Sequence, residues 1–164
     1  WTLSRGLGDV YKRQVADTAI QNGGKVTGIT LRSLHEFELT NPIINETIIT
    51  NSLFERKEKF LDMSDAFIVL PGGVGSMDEL LEVMVSNQLG GINKPVGLLN
   101  IDGYYDGFLE WLQRSVDDEF VSIENQKQVL VSNNAEELLE IILSAQMPSS
   151  DTWIDRLNVD FPKD

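Results

Sequence analysis

No cysteine stands anywhere in the 164 residues, which excludes disulfides, thiolate metal sites and a cysteine nucleophile. The single histidine, His35, excludes a multi-histidine metal site within one chain and reads as a surface loop residue. Cations are scarce: 13 Lys and Arg stand against 26 Asp and Glu, a net charge of −13. Such a field repels nucleic-acid backbones and anionic membranes, so a phosphorylated small substrate would need a local cationic pocket. No apolar run approaches the roughly 20 residues of a membrane helix, and no signal peptide is visible; a cytoplasmic protein is expected. The chain begins at Trp1 rather than Met, and its natural start is expected upstream. Its length suits one domain with a real core.

What is present is an alternation of short apolar runs and amphipathic segments. Val15–Asn22 reads as the end of a helix stopped by Gly23-Gly24. Strands are expected at Lys25–Thr30, Thr47–Thr50, Ala66–Leu70, Pro95–Asn100 and Gln128–Val131. Helices are expected at Ser52–Met63, Ser76–Gln88, Tyr104–Asp118 and Ala135–Ser144, and Leu31–Glu46 reads as polar and irregular. Strands alternating with helices argue for an α/β fold, a parallel sheet with helices on both faces. Ligands of such sheets sit at the carboxyl ends of the strands. Trp1–Gln14 shows neither period; it reads as a non-native scar or a disordered arm that contributes no element. The folded domain is therefore expected over residues 15–146, with 147–164 a tail packed as an extended arm around Trp153.

One turn lies at such a strand end. Leu70-Pro71-Gly72-Gly73-Val74-Gly75-Ser76-Met77-Asp78-Glu79 joins an apolar run to an amphipathic helix. A strand, a glycine turn and a helix start make an anion pocket: free N–H groups and the positive dipole end point at a phosphate, and missing Cβ atoms let it approach. The turn is not a P-loop, since no Gly-Lys-Ser/Thr follows, and Asp78 takes the place of the third glycine of a dinucleotide fingerprint. Ser76-x-x-Glu79 also reads as a capping box, in which Ser76 is the helix N-cap and Glu79 returns to it. Glu79 therefore has two readings, a cap or a group that meets the ligand.

The helix at Ser52–Met63 carries the second constellation. At ~100° per residue, Leu53, Phe54, Phe60, Leu61 and Met63 share one side, while Glu55, Glu58, Lys59 and Asp62 fall opposite. Lys57 falls within the apolar side and Arg56 at its edge. Two inward cations are costly unless they meet an anion, which a bound phosphate or Glu79 would supply. The aromatic stripe Tyr104, Tyr105, Phe108 and Trp111 reads as core or as a helix–helix dimer face.

Arg56-Lys57 together with Pro71-Gly72-Gly73-x-Gly75-Ser76-x-x-Glu79 resembles the Lonely Guy family, whose motif is PGGxGTxxE preceded by an Arg-Lys pair on a helix. Pair and glutamate are 79 − 56 = 23 residues apart, as in the family, and Pro95–Tyr105 is similar to its next strand and loop. The resemblance implies a Rossmann-like fold, a homodimer and no metal or redox cofactor. It implies hydrolysis of the N-glycosidic bond of an adenosine-type 5′-monophosphate to the base and ribose 5-phosphate. It implies that Arg56 and Glu79 are catalytic. Lys57, Gly72, Gly73, Val74, Gly75, Ser76, Met77 and Asp78 would then bind the nucleotide, and Glu38 matches a substrate-binding glutamate. The family's first strand, first helix and second strand belong before Val15, where Trp1–Gln14 stands instead.

Two other readings compete. A non-catalytic nucleotide-binding or sensor module would keep the glycine turn without needing Glu79. A pyridoxal phosphate decarboxylase, the label often attached to this family, is disfavoured by the short chain and by the lack of a Ser-x-His-Lys Schiff-base segment.

Overall fold

The computed structural model describes residues 2–4, 10–35 and 44–147. The loop bearing Glu38 and the tail bearing Trp153 lie outside the described residues. The chain divides into two compact units, Trp1–Ser64 and Asp65–Asp164.

The first unit is built from β1 (Thr2–Ser4), α1 (Val10–Gln21), β2 (Thr27–Leu31), α2 (Arg32–His35), β3 (Glu46–Thr50) and α3 (Leu53–Met63). Its strands form a parallel sheet in the order β1-β2-β3, with Thr2 opposite Thr27 and Thr27 opposite Glu46. The expected stop after the first helix is real. Gly23 adopts φ 82°, a left-handed value that glycine takes freely, and the N–H groups of Gly23 and Gly24 close onto Ile20 and Ala19 carbonyls at 2.9 and 2.8 Å. Val26, Ile29, Thr30 and Thr50 are buried, and the Thr50 hydroxyl donates to the Thr30 carbonyl at 3.0 Å.

Three expectations need correction here. Thr2–Ser4 is a strand and Val10–Gln14 is helical, so the first 14 residues do contribute elements; three strand residues are too few to display an alternation. The segment after β2 opens as a short helix instead of irregular chain, and His35 is its last residue, not part of a loop.

The second unit runs β4 (Phe67–Val69), α4 (Val74–Gln88), β5 (Val96–Leu99), a 3-10 turn (Ile101–Gly103), α5 (Asp106–Asp117), α6 (Ile123–Gln126), β6 (Val129–Ser132) and α7 (Ala135–Ser144). Its sheet is parallel in the order β4-β5-β6, with Phe67 opposite Val96 and Val96 opposite Val129. The central β5 is buried along its whole length, as an unbroken apolar run in a covered parallel sheet should be. Leu138 and Ile142 of α7 pack on it beside Leu99. They pack so closely over Gly97 that a Cβ there would collide with Ile142. Leu80 and Val83 of α4 and Leu112 of α5 are buried as well.

The expected α/β class is therefore present, with parallel strands and interleaved helices, in two three-stranded sheets. No helix among the described residues is long and apolar enough to cross a membrane.

Candidate active site

The glycine turn sits at the carboxyl end of β4, and α4 starts inside it. The helix begins at Val74 with Gly73 as its N-cap, and no side chain caps it. The N–H groups of Ser76 and Met77 return to the Gly73 carbonyl at 3.1 and 3.2 Å. The expected start at Ser76, and with it the Ser76–Glu79 capping box, is therefore corrected. Ser76 is the third helical residue and Glu79 the sixth, too far along to cap the start. The hydroxyl and Cβ of Ser76 instead lie against Gly72: a Cβ at Gly72 would collide with Ser76 Oγ and stand 2.9 Å from Ser76 Cβ.

The other two glycines differ in kind. A Cβ added at Gly73 or Gly75 would meet no protein atom within 4 Å. Gly73 is in extended backbone, φ −93° and ψ −154°, which any residue adopts. Gly75 lies inside the helix, where glycine costs about 1 kcal/mol relative to alanine. Local structure demands neither glycine, and the space above both is open. Val74, between them, is 87% exposed. An open, uncapped helix start at a strand's carboxyl end is the arrangement in which an anion is favoured.

Two tyrosines hold this turn from the loop after β5. Tyr104 Oη donates to the Gly72 carbonyl at 2.8 Å and Tyr105 Oη to the Leu70 carbonyl at 2.7 Å. Tyr105 is buried, and that burial raises its phenol above the ordinary tyrosine value. The loop is folded by Asn100, which accepts from the Tyr105 N–H at 2.7 Å and donates to Asp106 at 2.8 Å. Both tyrosines precede α5, which starts at Asp106 instead of Tyr104. Their helical placement is thereby corrected, while Tyr105 lies in the core as expected and Tyr104 does not.

In the first unit, α3 starts on a capped turn that resembles a capping box, with Ser52 as N-cap and the return bond made one residue earlier. The Ser52 side chain accepts from the Glu55 N–H at 3.1 Å, and the Glu55 carboxylate reaches back to the Asn51 N–H at 2.8 Å. Ser52-x-x-Glu55 has the same spacing as Ser76-x-x-Glu79. The wheel holds for the cations and for most of the outer face: Arg56 and Lys57 are half-buried and Glu58, Lys59 and Asp62 are exposed, but Glu55, expected outside, is half-buried too. Arg56 Nε donates to the Ile29 carbonyl of β2 at 3.4 Å. The apolar side is less covered than expected, since Phe54 is 85% exposed and Leu53 and Met63 are also exposed.

The sequence profile of a family described as "Possible lysine decarboxylase" matches residues 13–142. Cytokinin riboside 5′-monophosphate phosphoribohydrolase LOG2 of Arabidopsis thaliana is 38% identical over 156 residues, 94% of this chain and 73% of the relative. LOG5 of the same species, with the same enzyme name, is 43% identical over 138 residues, 84% of this chain and 60% of the relative. The enzyme LOG of Oryza sativa subsp. japonica is 34% identical over 166 residues, 99% of this chain and 68% of the relative. The chain belongs to the Lonely Guy family. It spans 60–73% of the length of these three relatives.

The Lonely Guy motif residues then take definite local positions. Gly72 and Gly73 form the turn and its N-cap, and Val74, Gly75, Ser76, Met77, Asp78 and Glu79 are the first six residues of α4. Ser76, Met77 and Glu79 are half-buried and Asp78 is exposed. Arg56 and Lys57 stand on α3 of the first unit, the glycine turn and Glu79 on the second. Tyr104 and Tyr105 are the residues that sequence reasoning misplaced. The loop after β5 neighbours the end of β4 because the two strands pair in parallel, so hydroxyls in that loop were candidates to tie the turn.

Proposed function

We propose that this Lonely Guy chain hydrolyses the N-glycosidic bond of adenine-type nucleoside 5′-monophosphates, a cytokinin riboside monophosphate or AMP, giving the free base and ribose 5-phosphate. The observation that carries the reading is the pair Gly73 and Gly75, whose missing side chains leave open space over an uncapped helix start within the family motif. The relatives' names supply the reaction class.

In this reading the turn Gly72–Ser76 holds the nucleotide phosphate and so places the ribose; the family motif assigns Lys57 to nucleotide binding and Arg56 to catalysis. Cleavage passes through an oxocarbenium-like ribose. The Glu79 carboxylate stabilises that charge and orients the water whose oxygen bonds to C1′. The base leaves with the electrons of the broken C–N bond and takes up a proton. Glu38 contacts the substrate, and no metal or redox cofactor takes part. The enzyme works as a homodimer. The decarboxylase description of the family profile is a poorer guide, because His35 is followed by Glu36 and no His-Lys pair exists to carry pyridoxal phosphate.

The test is to incubate the protein with AMP and with isopentenyladenosine monophosphate and assay ribose 5-phosphate. Release from either supports the reading, and the ratio of the two rates ranks the bases. Tight nucleotide binding with no release would instead favour a non-catalytic sensor module.

A further inference from the structure

Tyr104 and Tyr105 hold two carbonyls of one turn, and the two bonds differ in consequence. The Leu70 carbonyl taken by Tyr105 belongs to a peptide completed by Pro71, which has no N–H. That bond anchors the chain, and the Gly72 backbone is a further hydrogen-bond partner of the Tyr105 phenol, one peptide before the Gly72–Gly73 link. The Gly72 carbonyl taken by Tyr104 belongs to a peptide completed by Gly73, which has one.

In a planar trans peptide the C=O and N–H vectors point in opposite directions. Holding the Gly72 carbonyl therefore fixes where the Gly73 N–H points. The peptide needs such a hold because glycine flanks it on both sides, and glycine's wide φ range lets the plane turn over at little cost. The carbonyl side is taken by the phenol. Beside that peptide, a Cβ on Gly73 would meet no protein atom within 4 Å, which leaves room for a ligand at this residue. The Tyr104 ring is itself braced edge-on by Tyr105, with centroids 4.9 Å apart and planes at 88°.

We propose that Tyr104 is a positioning residue for phosphate recognition: its hydroxyl locks the Gly72–Gly73 peptide so that the Gly73 N–H faces the phosphate of a nucleoside monophosphate. The inference rests on the phosphate seat of the preceding subsection and adds to it the residue that sets the seat's geometry. Tyr104 is 56% exposed, so its hydroxyl contributes little to holding the fold together.

The experiment titrates AMP and adenosine into the parent chain and into Tyr104→Phe and Tyr105→Phe by calorimetry, with a thermal melt of each. Tyr104→Phe keeps the ring and loses only the bond. Its AMP affinity is expected to fall about tenfold, the scale of one well-placed hydrogen bond to a charged group. Adenosine affinity and melting temperature stay at the parent's values. Tyr105→Phe is expected to lower the melting temperature while the ratio of AMP to adenosine affinity stays at the parent's. A Tyr104→Phe protein that keeps the parent's preference for AMP overturns the inference alone. So does one that loses both ligands equally or melts lower, since that marks a structural role. A parent with equal affinity for AMP and adenosine overturns the phosphate seat, and this inference with it.

Discussion

Gly73 and Gly72 look alike in the sequence and differ in what they exclude. Gly72 is required by the protein itself, because Ser76 occupies the place of its Cβ. Gly73 is not, and a valine there would project into open space. Gly73→Val is therefore expected to fold, with a stability loss of about 1 kcal/mol from a poorer N-cap, yet to lose AMP binding because its side chain fills the anion's approach. Calorimetry with AMP beside a thermal melt checks this; a folded variant with the parent's affinity would show that no phosphate sits there. The sequence located this turn correctly but not its inner roles. A spacing such as S-x-x-E states where a cap is possible, and only the backbone decides between Ser52–Glu55 and Ser76–Glu79.

At the scale of elements, α3 and the loop after β5 carry the argument. The half-buried Arg56 and the exposed Lys59 lie on one helix three residues apart, which makes them internal controls for each other. Arg56→Ala is expected to lower ribose 5-phosphate release by ~10²-fold, the scale of a lost transition-state contact, while Lys59→Ala stays near the parent. Equal effects would refute the inward reading. The helix start is held by Ser52, so Ser52→Ala should cost about 1 kcal/mol and lower the melting temperature by roughly 2–4 °C; an unchanged melt would deny the cap its weight. The strands and long helices were legible because their apolar periods are strong. The Tyr104–Tyr105 ties were not, since a tyrosine's apolar ring dominates a pattern and its hydroxyl finds its partner only through the pairing of β4 with β5.

At the scale of the whole molecule, the charge of −13 and the exposed apolar groups pull in different directions. Leu81 and Val85 on α4, Leu89 at its end and Trp111 on α5 are exposed, more apolar helix surface than a monomer needs to show. A homodimer that buries part of this surface is expected, with light scattering at micromolar concentration giving twice the mass of the 18.4 kDa chain; a monomer mass would count against it. The α/β class was legible from the alternation of elements. The short β1 was not, because three residues carry no period. Glu79 is proposed to do chemistry, and it stands sixth in α4, outside the capping box expected of it. Glu79→Gln keeps size and hydrogen bonding and removes the charge, so the most direct test is its rate of ribose 5-phosphate release from AMP, measured beside AMP affinity and melting temperature. Release is expected to fall ~10²-fold or more while affinity and melting temperature stay near the parent's. A glutamine variant that turns over at the parent's rate would contradict a chemical role for Glu79.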